Sequence, residues 1–184
     1  DTFISRLNEL SKAQNKNWIF INGGIGNYNT ERYINNYFEN WKNFEFTDLV
    51  IHYFVNDSEV INQDNSNFFT RNFQTAVIIW KYLNSLKSEY SVENLTEYYE
   101  KKYDNNYIGY QNTLSELERL GIFCSKKKIN CHLVMMPDIH QLNPYELKFI
   151  NNKIKKNSEN LNFKYHDLLE DLEIISPSKL LWND

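Results

Sequence analysis

Residues 47–59, TDLVIHYFVNDSE, decide how the chain folds. The run DLVIHYFV (48–55) is rich in β-branched and aromatic residues, and it hands over abruptly to Asn56-Asp57-Ser58-Glu59. Such a run is a strand of a buried sheet. In open α/β sheets ligands bind beyond the carboxyl ends of the strands. Short polar groups placed directly after a strand are therefore site candidates, more so if other strands end the same way.

They do. NWIFIN (17–22) reads as the first strand and runs into NGGIGNYNT, while INCHLVMMP (129–137) reads as the third and runs into PDIH. NFKYHD (162–167) is a weaker fourth. Between them lie TERYINNYFENWKNF (30–44), with apolar residues at 34, 37, 38 and 41, and YQNTLSELERLGIFCSKKK (110–128). PYELKFINNKIKKNSEN (144–160) places Leu147, Ile150 and Ile154 on one helical face. Gly121 marks a weak point late in the 110–128 helix. Strand and helix in alternation predict an α/β fold, a parallel sheet covered on both faces. The exception is a helical insertion over about 60–109, with helices at 67–87 and 91–103 and no strand. No internal repeat or linker divides the 184 residues, so one domain is expected.

Composition narrows the function classes. A net charge of −4 and scattered lysines give no nucleic-acid footprint, and Lys126-Lys127-Lys128 fits a solvated helix end. No apolar run of membrane-spanning length occurs. Glycine and proline are scarce, 5 and 3, so loops lean on the abundant asparagines for their turns. Cys124 and Cys131 lack the spacing of a zinc or thioredoxin motif and are expected as two buried thiols rather than a disulfide.

Each polar cluster has its own chemistry. Gly23, Gly24 and Gly26 make a tight loop whose backbone N–H groups can approach a substrate and hold developing negative charge. Thr30 is placed to cap the helix that follows. A dinucleotide fingerprint needs a third glycine that is absent after Gly26, and no phosphate-loop lysine is present, so no cofactor is expected. Asn56 is a neutral side-chain donor at a strand end, and Asp57 can order its loop. Asp138 and His140 pair a carboxylate with an imidazole in a loop. His52 and His132 lie inside strands as core histidines, His166 adjoins Asp167, and no metal-ligand spacing links the four histidines.

Together, INGGIGNYNT after one strand and FVNDSE after the next resemble two blocks of the SGNH (GDSL-like) hydrolase superfamily. Asn22, Gly24, Asn29 and Thr30 match the N-x-G-x-x-G-x-N-T block in register, and Asn56-Asp57 match G-x-N-D. VMMPDIHQLNPYE is similar to a P-E-x-H segment of some bacterial members. The resemblance implies a three-layer, flavodoxin-like α/β/α sandwich and ester hydrolysis by a serine nucleophile with a carboxyl-terminal Asp and His. It also implies an oxyanion hole in which Asn56 supplies the side chain and Asn27, standing where the block-two glycine usually is, supplies its amide. Gly24, Gly26, Asn29, Asp57 and His140 would border the substrate, a small acyl ester or an acylated glycan.

Two departures stand out: Gly26 sits one place early, and Phe54 occupies the block-three glycine position. No Gly-Asp-Ser motif occurs, and Ser5 and Ser11 lie on a helix without an elbow turn. The opening DTFISRLNELS resembles the helix after the nucleophile, and SPSKLLWND resembles the approach to the family's Asp–His block. The expectation is a hydrolase segment incomplete at both ends, with Asp184 a candidate triad Asp and the serine and histidine elsewhere. The rival expectation is a non-catalytic relative that keeps the fold as a binding or scaffold domain.

Overall fold

The computed structural model describes residues 3–60, 92–140 and 142–175. Helix α1 (Phe3–Ala13) precedes an irregular stretch at 16–25, and α2 (Thr30–Asn36) continues into a π-helical turn, Tyr37–Trp41. Strand β1 (Asp48–Phe54) follows. After it come α3 (Val92–Lys102), α4 (Ile108–Lys127), β2 (Asn130–Met136), α5 (Lys148–Asn160), β3 (Lys164–Asp167) and α6 (Leu169–Leu172). The three strands form an all-parallel sheet in the order β1-β2-β3. Asp48 is in register with Asn130, and His132 with Lys164.

Alternation along the strands sets the core. Ile51, Tyr53 and Val55 on one side of β1 join Leu133 and Met135 of β2, all buried. Ile34 of α2, Leu117 and Leu120 of α4, and Ile150 and Ile154 of α5 close over this face. Fully burying a Leu or Ile contributes about 1.5–3 kcal/mol, so this face holds the fold together. The π turn is visible in the bond from Lys42 N–H to the Tyr37 carbonyl at 3.0 Å. It keeps Tyr37 and Phe38 turned inward, both in edge contact with Phe123.

Several sequence expectations need correction. NWIFIN is not a strand among the described residues. Its backbone bonds go instead to side chains of α1. Ser11 Oγ takes the Trp18 N–H and donates to the Trp18 carbonyl or that of Lys16, and Asn8 pairs with both the N–H and the carbonyl of Phe20. Ile19 is left 83% exposed. The sheet's second face is also more open than a doubly covered sheet implies. Val50 is 49% exposed there, and α1 reaches this face through Phe3, whose ring lies 5.8 Å from that of His52. His52 and His132 belong to this outward face, not to the core.

Gly121 does not weaken its helix. A Cβ there would sit 3.2 Å from Phe163 and 3.5 Å from Leu161, so the glycine lets α4 approach the turn before β3. The helix ends at Lys127, where Lys128 adopts the left-handed conformation (φ 58°). Cys124 and Cys131 are buried as expected but joined in a disulfide, because the tight turn from α4 into β2 brings their Cα atoms to 6.6 Å. The insertion helix expected at 91–103 is α3, whereas the one expected at 67–87 lies outside the described residues, as does Asp184. Among the described residues no helix is long and apolar enough to cross a membrane.

Candidate functional site

The loop after β1 is a turn built on its own aspartate. Asp57 N–H donates to the Phe54 carbonyl at 2.9 Å, and Asp57 Oδ2 accepts the Phe54 N–H at 3.1 Å. This bracket fixes the chain reversal and leaves Asn56 at its outer corner. The Asn56 side chain is exposed and makes no hydrogen bond among the described residues, so both of its amide hydrogens are available.

The loop before α2 is pinned onto that turn. Asn29, not Thr30, is the N-cap: its Oδ1 accepts the Arg32 N–H at 3.1 Å. The Asn29 Nδ2 crosses to the Glu59 carbonyl at 2.8 Å, and Thr30 N–H donates to the Asp57 carbonyl at 3.1 Å. The two polar clusters thus share one end of the sheet, joined by bonds from the buried Asn29 and Thr30 to Glu59 and the buried Asp57. Two residues earlier Asn27 holds a left-handed backbone, φ 62°, a conformation asparagine tolerates better than other non-glycine residues. Neither Gly24 nor Gly26 has positive φ. Gly24 N–H closes a small turn on Asn22 Oδ1 at 3.0 Å, and Gly26 faces open space.

Asp57 is 6% exposed. Burial pushes its carboxyl up to about 7, and the Phe54 N–H pulls against that shift. Burial raises the hydroxyl of Tyr33, and the Asp57 carboxyl adds to that shift. Beneath the turn, Tyr53 and Tyr103 hydroxyls meet at 2.9 Å, and Tyr103 donates to the Val55 carbonyl at 2.9 Å. Burial holds both phenols in their neutral form.

His140 stands apart from this constellation. Its Nδ1 and backbone N–H both engage Asp138 Oδ1, and Asp138 N–H donates to the Tyr145 hydroxyl at 3.1 Å. Asp138, His140, Tyr145 and Glu146 line a cavity of about 170 Å³ together with Leu95 and Leu147. That wall contains none of Gly24, Gly26, Asn27, Asn29, Asn56 or Asp57. Tyr99 lies between the two regions, its hydroxyl raised by burial and by nearby Glu59, Tyr98 and Asp138. Sequence inspection missed Tyr99, since one tyrosine among 13 carries no distinguishing signal. It also passed over Asn151, which holds Asp167 at the end of β3 through Nδ2 contacts of 3.0 Å to both carboxylate oxygens.

Among the described residues no group of three or more His, Cys, Asp or Glu side chains has an arrangement suited to a metal ion. Comparison with known proteins found no matching family model, no matching curated protein and no matching solved structure.

Proposed function

We propose that the chain carries the oxyanion half of an SGNH-type serine ester hydrolase acting on small acyl esters, O-acetylated glycans among them. In this reading a serine oxygen attacks the acyl carbonyl carbon. A histidine takes the serine proton and passes it to the departing alcohol. The Asn56 side-chain amide and the Asn27 backbone N–H stabilise the negative oxygen of the tetrahedral intermediate. Water then releases the acyl group by the same route in reverse, without a cofactor.

One observation carries this reading: the bonds Asn29–Glu59 and Thr30–Asp57, which tie the two motif loops together at the carboxyl end of a parallel sheet. The Asn56 amide, without a hydrogen bond among the described residues, and the N–H of the left-handed Asn27 are the two donors in this reading. Among the described residues no strand pairs with the outer edge of β1, which adds support for a flavodoxin-like sandwich. Thr47 accepts from Asn130 N–H, so by alternation Val50 and His52 turn their backbone groups away from β2. Trp18 and Phe20 face α1, so Ile19 and Ile21 turn theirs the other way. A further strand bearing the nucleophile would satisfy both.

The test is fluorophosphonate labelling of the full-length gene product, followed by mapping of the labelled residue and an assay with 4-nitrophenyl acetate. Labelling of one serine, with ester turnover lost on its replacement by alanine, is the expected result. A folded full-length protein that neither labels nor turns over ester would instead be a binding or scaffold domain.

A further inference from the structure

Each strand of the sheet contributes one side chain to a hydrogen-bonded chain on the outward face: Asp48 from β1, His132 from β2 and His166 from β3. His132 Nε2 lies 3.1 Å from Asp48 Oδ1, and His132 Nδ1 lies 3.2 Å from His166 Nε2. The two rings are stacked, with centroids 5.5 Å apart and planes 12° apart. This constellation is separate from the loops at the carboxyl end.

Its bonding limits how many protons it can hold. An ionised carboxylate only accepts, so the hydrogen of the Asp48 contact belongs to His132 Nε2. The contact between the imidazoles needs one N–H and one lone pair. An imidazolium has two N–H groups and no lone pair, so two imidazolium rings cannot keep this bond. One positive charge is accommodated, and Asp48 faces it. A second charge finds Val50 and Lys164 as the register neighbours of His132, the latter a cation. His52 lies further along β1 against Phe3 and adds no negative charge.

We propose that Asp48, His132 and His166 form a pH-sensitive clasp that holds the edge strand β3 to β2 and releases when both imidazoles are protonated. β3 is short and, among the described residues, paired only to β2, through four register positions from Lys164 to Asp167. The clasp adds to the backbone ladder, the Asn151–Asp167 bonds and the Leu168 N–H bond to the Met135 carbonyl in holding β3. Release would loosen Asp167 as well, whose carboxylate holds both the Asn151 amide and the Leu169 N–H.

The experiment is NMR on the full chain, following histidine Cε1–H shifts and the amide exchange of 164–167 from pH 8 to pH 4.5. The pH response of the His132 Cε1–H shift should change in His166→Gln, because one hydrogen bond links the two rings. Between pH 8 and pH 4.5, β3 amide protection should fall by about tenfold or more, as expected for loss of about 1.4 kcal/mol or more of attachment. His166→Gln keeps a donor without a titrating ring, and its β3 protection should not fall over the same range. A His132 Cε1–H pH response that is the same in wild type and His166→Gln overturns the clasp. So does equal loss of β3 protection in wild type and His166→Gln.

Discussion

The side-chain amide of Asn29 donates to the Glu59 carbonyl at 2.8 Å, across thirty residues of sequence, while its oxygen caps α2 through the Arg32 N–H. One residue thus starts a helix and fixes the loop after β1. Asn29→Ala should cost about 1–2 kcal/mol from the cap alone, with a further loss from the unpaired Glu59 carbonyl. Asn29→Ser restores the cap but not the reach to Glu59, and should recover only part of the stability. Urea unfolding of the three proteins measures both losses. Equal stability of the Asn and Ser proteins would mean that the crossing bond contributes nothing.

Asp57 gives the fold an unusual pH response. Its carboxyl titrates near 7 in the folded chain against an ordinary 3.8. Between these values the unfolded chain has released a proton that the folded chain still holds. Stability therefore falls as pH rises from about 4 to 7, by at most about 4 kcal/mol, and levels off above. Asp57→Asn should remove this slope. Denaturant titrations at pH 4.5, 6 and 7.5 on both proteins check it, and parallel profiles would refute the buried, protonated carboxyl.

The Tyr53–Tyr103 pair should respond asymmetrically. Tyr53→Phe deletes one buried hydrogen bond, at about 1 kcal/mol, and leaves Tyr103 bonded to the Val55 carbonyl. Tyr103→Phe strands both the Val55 carbonyl and the Tyr53 hydroxyl, so its cost should reach about 2–3 kcal/mol. Thermal unfolding of both variants orders them.

Gly109 is required by contact rather than by its backbone angle. A Cβ there would lie 2.1 Å from the Ser58 carbonyl oxygen and 2.6 Å from Tyr107. The clash involves backbone of the loop after β1, which cannot yield without moving Asp57. Gly109→Ala should destabilise by about 1–3 kcal/mol or more. Near-wild-type stability would show that the loop has room to shift.

What the sequence disclosed and what it hid have physical causes. DLVIHYFV and INCHLVMMP were legible because each alternates apolar residues that bury against helices, and Ile150 and Ile154 because their spacing makes a helical stripe. NWIFIN has equal strand character, yet strand formation needs a ladder partner, and Asn8 and Ser11 take its backbone bonds instead. The N-cap fell to Asn29 rather than Thr30 because the asparagine amide serves two loops at once. His132 looked like a core residue because periodicity names two faces without saying which is covered. The disulfide depended on a tight α4–β2 turn that cysteine spacing alone does not reveal.

Asn56 is the residue on which the proposed activity turns, exposed at the corner of the turn and free of hydrogen bonds from its own side chain among the described residues. The most direct test is kcat for ester hydrolysis by the full-length protein and its Asn56→Ala variant, with folding checked by circular dichroism. An oxyanion donor predicts a loss of about 10²–10³-fold in kcat with little change in KM. A variant within twofold of wild type would contradict the assignment and remove the oxyanion hole from the account.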